Sequence, residues 1–273
     1  RRSQRFRSLK MAEALQELRF RGGGFAPGRK RWAALVFFVL LIGLWQMAGT
    51  RGWVSPLFLP SPAAIASALY AEAIQGNLWT HLVASLQRVA LGWLVGTLAG
   101  LALGLAMGLF TLARSVGVPL VSAFFPIPKI ALLPLFILWF GIGEASKLVT
   151  IGMGVFFPTV VAAYSGVDAV PRNLVRMAQS FGVPYYAIIW KIVLPGAMAT
   201  IVAGFRITVS MALILVVAAE MIGAEYGLGA FIISAGHLMM TDRLLGGVVC
   251  LSILGLLAGV AITLLERRLL HWR

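Results

Sequence analysis

Four charged side chains stand within stretches of the sequence that are otherwise apolar: Arg88, Lys129, Arg206 and Glu220. A charge at membrane depth is costly, so such a residue usually faces the interior of a helix bundle or a water-filled path. We predict that these four residues line a pathway through a bundle or form its gate. A structural ion pair between Arg88 and Glu220 is the alternative for those two. Lys129 could instead extend to a membrane interface.

Groups that would support catalysis or metal binding are scattered along the chain. The single cysteine, Cys250, lies in a long apolar stretch, where packing is its expected role. The three histidines, His81, His237 and His271, have no metal-ligand spacing. The sequence therefore predicts no metal site in this chain.

The composition indicates a membrane protein. Hydrophobic residues make up 60% of the 273 residues and the mean hydropathy is +0.93, whereas soluble domains are roughly 45–50% apolar. Several stretches approach the roughly 20 apolar residues that a helix needs to cross hydrocarbon. We predict an all-α polytopic membrane helix bundle with about six transmembrane helices, at 32–49, 82–110, 116–140, 148–166, 197–222 and 244–265.

The formal net charge of +14 is concentrated in a few segments. Ten of the 23 Lys and Arg residues lie in residues 1–31. If six spans cross in sequence, these fall on the same side as a second basic group, which comprises Arg114, Arg172, Arg176, Lys191, Arg267, Arg268 and Arg273. The opposite side holds only Arg51, Lys147 and Arg243. The positive-inside bias predicts that both termini are cytoplasmic, and we expect the basic segment to meet lipid headgroups rather than nucleic acid.

A weakly apolar interlude at 166–195 separates the fourth and fifth predicted spans. Asp168 and Pro171 are signals for a helix start, and Gly182 is placed where a helix stop needs a positive φ. Pro184 could open a second short helix, which Leu194-Pro195-Gly196 would end before the next span. We predict a helix-turn-helix across the cytoplasmic face, with an ordinary amphipathic loop as the alternative.

Two further features concern packing within the membrane. The second predicted span carries glycines at four-residue spacing, which favour close helix approach; these are Gly92, Gly96, Gly100, Gly104 and Gly108. The third predicted span is interrupted by four prolines, which remove backbone hydrogen bonds and bend helices; these are Pro119, Pro126, Pro128 and Pro134.

The predicted external surface contains two candidate contacts for another protein. Glu144 and Lys147 lie three residues apart in a short loop, where they could pair, cap the next span or meet an external partner. Residues 62–73 are predicted to form an interfacial helix that rests on the bilayer, or a surface that helps to receive a partner protein.

Several blocks resemble the permease subunits of ABC importers in the nitrate, sulfonate, taurine and bicarbonate branch. The matching blocks are Ser85-Leu-x-Arg88-Val, the glycine row, 125–134, 139–147, 219–229 and 265–270. The resemblance that they carry runs from Leu78 to the carboxyl end, about 190 of the 273 residues. The interlude resembles the EAA loop, with which members of the family couple to the ATP-hydrolysing subunit. The residues carried over to that loop are Arg172, Arg176, Ala178, Gly182, Ile192, Leu194 and Pro195. Arg176 and Met177 stand where the family has Glu and Ala.

The resemblance implies a type I ABC importer permease fold, with a basic segment at 1–31 and a transmembrane permease domain at 32–273 that includes a coupling loop at 166–195. It implies a homodimer in a bacterial inner membrane, two copies of an ATP-binding subunit, and a periplasmic or lipid-anchored substrate-binding protein. The sequence contains no G-x-x-x-x-G-K-[ST] loop, so ATP and Mg are expected on the partner subunit. The resemblance thus implies a non-catalytic membrane subunit, with no catalytic residue and no cofactor in this chain. The implied substrate is a small anion such as a sulfonate, taurine, nitrate, bicarbonate or a related organic acid. An ion-coupled secondary transporter and a membrane scaffold without a transport role are the alternatives.

Overall fold

The computed structural model describes residues 31–270, which contain helices and no strand. The chain separates into two units, one ending at Trp53 and the other beginning at Val54. In the first unit, helix α1 (Arg31–Thr50) is apolar along its length and long enough to cross a membrane, in agreement with the prediction for 32–49. The predicted basic segment at 1–31 lies outside the described residues, apart from Arg31 at the start of α1.

The second unit is a bundle of long and short helices. Its helices are α2 (Pro62–Gln75), α3 (Asn77–Leu109), α4 (Thr111–Phe124), α5 (Leu133–Phe140), α6 (Glu144–Asp168), α7 (Arg172–Ser180), α8 (Tyr185–Ile188), α9 (Leu194–Gly223), α10 (Leu228–His237) and α11 (Thr241–Leu269). With α1, the described residues provide five helices that could span a membrane, or six if the bent pair α4 and α5 is one span. The predicted class and number of spans are confirmed.

The third predicted span, 116–140, is broken rather than continuous. Helix α4 ends at Phe124, and a short 3₁₀ turn covers Lys129–Leu132. The segments Thr111–Phe124 and Lys129–Phe140 meet at an angle of 84°. Pro126 and Pro128 lie in the break, where the missing N–H groups and the fixed φ of proline disfavour a helix. Pro119 lies inside α4 and is tolerated there.

The glycine row of α3 packs against α6 along its whole length. A Cβ at Gly92 would lie 2.8 Å from Ile151 Cβ, and one at Gly108 would lie 2.6 Å from Val167 Cβ. The contacts therefore advance by 16 residues on both helices, which means that α3 and α6 run in the same direction. Since α4 and α5 connect the end of α3 to the start of α6, this broken segment must cross the bundle once.

The remaining long helices alternate in direction. Gly154 of α6 meets Leu215 of α9, whereas Gly166 meets Ala197, so α9 is antiparallel to α6. The bundle thus has one end at Glu144 and another at Asp168, which we call the Glu144 end and the Asp168 end. The starts of α3, α6 and α11 and the end of α9 belong to the Glu144 end.

Two short helices cover the Glu144 end. Helix α10, which the sequence did not predict, is mostly buried and contacts α3, α9 and α11. Helix α2 appears where a helix was expected at 62–73, and it packs on α11 through Leu69 against Gly246. The buried carboxylate of Glu72 pairs with Arg243 at 2.9 Å, which fixes the same two helices together.

The glycine row predicts a sharp difference between two substitutions to isoleucine. At Gly104 a Cβ would lie 2.6 Å from Ala163 Cβ, whereas at Gly259, on α11, it would meet no atom within 4 Å. We expect Gly104→Ile to destabilise the protein by about 1–3 kcal/mol through overpacking and Gly259→Ile to have little effect. Thermal unfolding of both purified variants in detergent measures this; equal midpoints would contradict the packing role of the row.

Candidate functional site

An ion cluster at the Glu144 end joins three long helices of the bundle, α3, α6 and α9. Arg88 of α3 donates from Nη1 to Glu220 Oε1 of α9 at 2.8 Å. It also donates from Nε and Nη2 to the two carboxylate oxygens of Glu144 on α6, at 2.6 and 2.7 Å. A further bond runs from Nη1 to the carbonyl oxygen of Tyr226 at 2.5 Å. The Arg88–Glu220 pair that the sequence raised as an alternative is therefore present.

Glu220 is the most enclosed member of the cluster, and its side chain has no exposed surface. Ser85 Oγ lies 2.8 Å from both carboxylate oxygens, and the Gly229 N–H donates to Oε2 at 2.9 Å. Ser85 Oγ in turn accepts from the Leu228 N–H at 2.8 Å. The free N–H groups at the start of α10 are thus satisfied by side chains from α3 and α9, and the negative charge lies at the favourable end of the helix.

Gly227 is required where α10 begins. Its φ of +142° is in a region that other residues rarely adopt, and a Cβ there would lie 2.5 Å from Glu220 Oε1. The His81 ring, on α3, accepts from the Gly227 N–H at 3.0 Å. The turn before α10 is therefore shaped around the Glu220 carboxylate.

The two candidate contacts for an external protein differ in exposure. Glu144 starts α6 with 58% of its side chain exposed, but its carboxylate is engaged by Arg88. Lys147 pairs with Glu144 at 3.5 Å and retains only 6% exposure. Their pairing is present, while contact with another protein stays a prediction.

Lys129 closes the broken span. Its ammonium donates to the carbonyls of Phe124 and Ile127 at 2.6 and 2.7 Å, and to that of Phe125 at 3.3 Å. It also lies 4.5 Å from the centroid of the Phe157 ring. A cation at a helix C-terminus satisfies carbonyls that have no partner in the helix, so Lys129 allows the chain to break inside the bundle.

Arg206 lies apart from the other three charged residues. It faces α11, where it pairs with Glu266 at 2.9 Å and approaches Thr263 Oγ1 at 3.3 Å. Both side chains of the pair are about half exposed. The structure thus brings Arg88 and Glu220 together and leaves Lys129 and Arg206 in separate places, and the role of each in a pathway stays a prediction.

A groove runs along α6 and α9 from the Asp168 end towards Lys129. It consists of three adjoining cavities of about 610, 390 and 400 Å³ that share lining residues. Thr200 and Ala203 connect the first two, and Phe125, Pro158 and Met211 connect the second to the third. From Pro195 to Leu215 the groove follows about 30 Å of α9. We call this feature the inner groove.

A helical hairpin occupies the Asp168 end. Helix α7 ends at Ser180, and Gly182 adopts a φ of +69°. The Val183 N–H bonds to the Ala178 carbonyl at 3.0 Å, and the Gly182 N–H bonds to Gln179 at 2.9 Å. These two bonds form a Schellman cap, so the predicted helix stop at Gly182 is confirmed. We call residues 172–188 the hairpin.

The predicted end of the second hairpin helix at Leu194-Pro195 is wrong. Helix α8 continues through a π turn at Ile189–Val193 directly into α9. The Leu194 N–H reaches back five residues to Ile189, and Pro195 then falls in the first turn of α9, where its missing N–H is tolerated. The hairpin is therefore the helical extension of a membrane span.

The hairpin and the π turn that follows it have one face against the bundle and one face exposed. Ala178, Ile188 and Val193 are buried together with Val170, and Ile192 packs against this cluster. The opposite face leaves both charged and apolar side chains exposed; these are Arg172, Arg176, Met177, Phe181, Tyr185, Tyr186, Trp190 and Lys191. Large apolar side chains exposed next to basic ones are typical of a surface that binds another protein.

Sequence reasoning missed the parts of the ion cluster that carry no charge. Ser85 lies three residues before Arg88, hence on the same helix face, and this spacing could have revealed it. The backbone contributions of Tyr226 and Gly229 left no such signal. They depend on α10, a ten-residue helix too short to be recognised as a membrane span.

Long apolar helices, an ion cluster that joins them at one end, and a groove that enters from the other define a polytopic membrane protein of the transport class. The model of the family described as "binding-protein-dependent transport system inner membrane component" matches residues 96–271. The chain belongs to this family of ABC permeases, so the family assignment made from the sequence is confirmed.

Curated relatives and solved structures agree with the assignment. The taurine transport system permease protein TauC of Escherichia coli is 37% identical over 85% of this chain and 86% of its own length. The putative aliphatic sulfonates transport permease protein SsuC of Bacillus subtilis is 34% identical over 90% and 91%. A structure of the MetNI methionine ABC transporter in an inward-facing conformation has a TM-score of 0.62, with 23% identity over 72% of this chain and 98% of that one. The last comparison shows a shared type I importer fold.

The ion cluster predicts that two arginines differ strongly in their contribution to stability. Arg88→Met would leave the buried Glu220 carboxylate without its cation, which costs about 3–5 kcal/mol. Arg206→Met would remove a half-exposed pair worth about 0–1 kcal/mol. Chemical or thermal unfolding in detergent compares the two variants. Adding Glu220→Gln should restore part of the loss in Arg88→Met, and a loss at Arg88 as small as at Arg206 would contradict the cluster's role.

Proposed function

We propose that this chain is the membrane permease subunit of an ATP-driven importer for a small sulfonate or a related anion. The observation that carries the proposal is the hairpin, which exposes a basic and aromatic surface and continues without a break into α9. A partner that moves the hairpin would move a helix that lines the inner groove. We identify the hairpin as the coupling element for an ATP-binding subunit.

The distribution of basic residues supports an orientation with the Asp168 end in the cytoplasm. Within the described residues, that end carries Arg114, Arg172, Arg176, Lys191, Arg267 and Arg268. The Glu144 end carries Lys147 and Arg243, both in ion pairs, in addition to the buried Arg88. By the positive-inside rule the hairpin and the carboxyl terminus face the cytoplasm, and the ion cluster lies at the outer side.

The inner groove would form one half of a translocation pathway. It opens at the proposed cytoplasmic side, stops near Lys129, and is lined by small or apolar residues such as Gly154, Ala203 and Met211. Two copies of the chain that face each other across this groove would enclose a path. In the state described, the Arg88–Glu144–Glu220 cluster keeps α3, α6 and α9 together on the opposite side and so acts as the outer gate.

Coupling then follows from the rigidity of the hairpin. Its buried face packs on the residues next to α6 and α9, and the π turn carries its motion into α9. ATP-driven closure of two partner subunits would shift both hairpins together and separate the outer ends of the long helices. Arg176 stands at the position of the family's Glu, so the charge that this position presents to the ATP-binding subunit is positive instead of negative.

The relatives support the substrate class. TauC and SsuC are named for taurine and aliphatic sulfonates, which are small organic molecules that carry a negatively charged sulfonate group. The family description also refers to a binding protein, and we propose that such a protein delivers the anion to the Glu144 end. Glu144 and the adjacent turns are the candidate contacts there.

Purification of the tagged chain from its own membranes tests the proposal. We expect an ATP-binding subunit to co-purify in equal amount with this chain, as a complex with two copies of each. Reconstituted with that subunit and the binding protein, it should import radiolabelled taurine or an alkanesulfonate only with ATP. Uptake that depends on an ion gradient alone would indicate a secondary transporter, and a chain without any ATPase or uptake would indicate a scaffold.

The cap of α7 predicts how the coupling can be broken. Gly182 has the left-handed φ of +69°, and a Cβ added there would meet no atom within 4 Å. Gly182→Val is therefore strained by its backbone alone, by about 1–2 kcal/mol. We expect it to uncouple ATP hydrolysis from uptake while the chain still inserts into the membrane. Gly182→Asn is the matched control, because Asn tolerates this conformation.

Uptake and substrate-stimulated ATPase activity, measured on the same reconstituted complexes, distinguish the outcomes. We expect Gly182→Asn to retain most of both activities and Gly182→Val to lose uptake. Normal uptake and stimulation in Gly182→Val would show that the hairpin is not the coupling element.

A further inference from the structure

Arg88 is held by two carboxylates that are bound in very different ways. Glu220 is fully buried and also accepts hydrogen bonds from Ser85 and the Gly229 N–H. Glu144 has 58% of its side chain exposed, and the only partners of its carboxylate among the described side chains are Arg88 and Lys147. Glu220 is therefore a fixed part of the cluster, whereas Glu144 can leave at much lower cost.

The groups that hold Glu144 match an oxyanion. Nε and Nη2 of Arg88 form a planar fork that donates to both Glu144 oxygens at 2.6 and 2.7 Å, a geometry suited to carboxylate-like groups. Lys147 Nζ lies 3.5 Å from Glu144 Oε1. A sulfonate has two oxygens for the fork and a third for the ammonium, so it can replace the carboxylate with its charge unchanged.

Space for such an anion adjoins the fork. A cavity of about 680 Å³ is lined by Arg88 and Glu144 together with Trp79, Gln87 and Tyr226. Binding cavities for small molecules usually measure about 300–1,000 Å³. The aromatic and aliphatic walls suit a short alkyl chain, and Gln87 and Thr80 add polar groups.

We propose that the Arg88 fork and Lys147 form an anion site for an organic sulfonate, and that Glu144 is its internal occupant. The sulfonate class rests on the proposed function. Displacement of Glu144 by the anion keeps two positive and two negative charges in the cluster, since Arg88, Lys147 and Glu220 remain. It also releases the start of α6 from Arg88, so arrival of the anion would loosen the outer gate.

Thermal unfolding of the full chain in detergent tests the site with sodium methanesulfonate as the probe. Sodium chloride at equal ionic strength is the reference. In Glu144→Ala the fork is vacated, and we expect methanesulfonate to stabilise the variant at a concentration about tenfold or more below that needed for the wild type, because no carboxylate has to leave the charge-assisted bonds. Glu225→Ala is the matched control, because it removes an exposed acidic residue from the same end of the bundle.

The variants separate a specific site from a general charge effect. Glu144→Gln, which keeps the volume and removes the charge, should show a smaller shift in the same direction and covers the case in which Glu144→Ala is poorly folded. An equal response of Glu144→Ala, Glu144→Gln and Glu225→Ala would overturn the proposal. ATP and partner subunits are absent from this measurement, so its failure would leave ATP-driven import untouched, while failure of import would appear as missing uptake or co-purification.

Discussion

The buried pair between Arg88 and Glu220 is the constraint on which the Glu144 end of this protein depends. A charge enclosed among apolar helices is strongly unfavourable alone, so each of these residues requires the other in place. The requirement fixes α3 against α9 and, through Glu144, against α6. It also sets the position of α10, whose first N–H groups bind Ser85 and Glu220. One end of the bundle is thus held by specific polar contacts.

The rest of the bundle is held by close packing of apolar helices. The Asp168 end differs from the Glu144 end because a groove enters the bundle there. The glycine row brings α3 and α6 together over their length, and α9 packs against both of these helices. The inner groove between α6 and α9 enters from the Asp168 end, where the hairpin is attached to α9 through the π turn. The proposed import mechanism relies on a closed polar end and an open grooved end that are linked by one continuous helix.

The sequence predicted the features that depend on local patterns. The length of the apolar stretches predicted the membrane spans. The need for a residue that tolerates a positive φ predicted the helix stop at Gly182. Sequence-based prediction failed where contacts between residues far apart in the chain determine the local structure. The hairpin continues into α9 because a π turn accommodates Pro195. Lys129 donates hydrogen bonds to three carbonyls at the break in the third span, and tertiary contacts determine the geometry of that break. Helix α10 is short and apolar, and only the pocket formed by α3, α9 and α11 explains its position.

In the proposed mechanism, the translocation path is open at the Asp168 end and closed at the Glu144 end, and the Asp168 end faces the cytoplasm. Ala203 lies in the inner groove, and Ala203→Cys can be made in a Cys250→Ala background so that it carries the only thiol. A charged, membrane-impermeant thiol reagent should label this cysteine in inside-out vesicles and leave it unreacted in right-side-out vesicles. Labelling from the outer side, at a rate equal to or above that from the cytoplasmic side, would contradict the account.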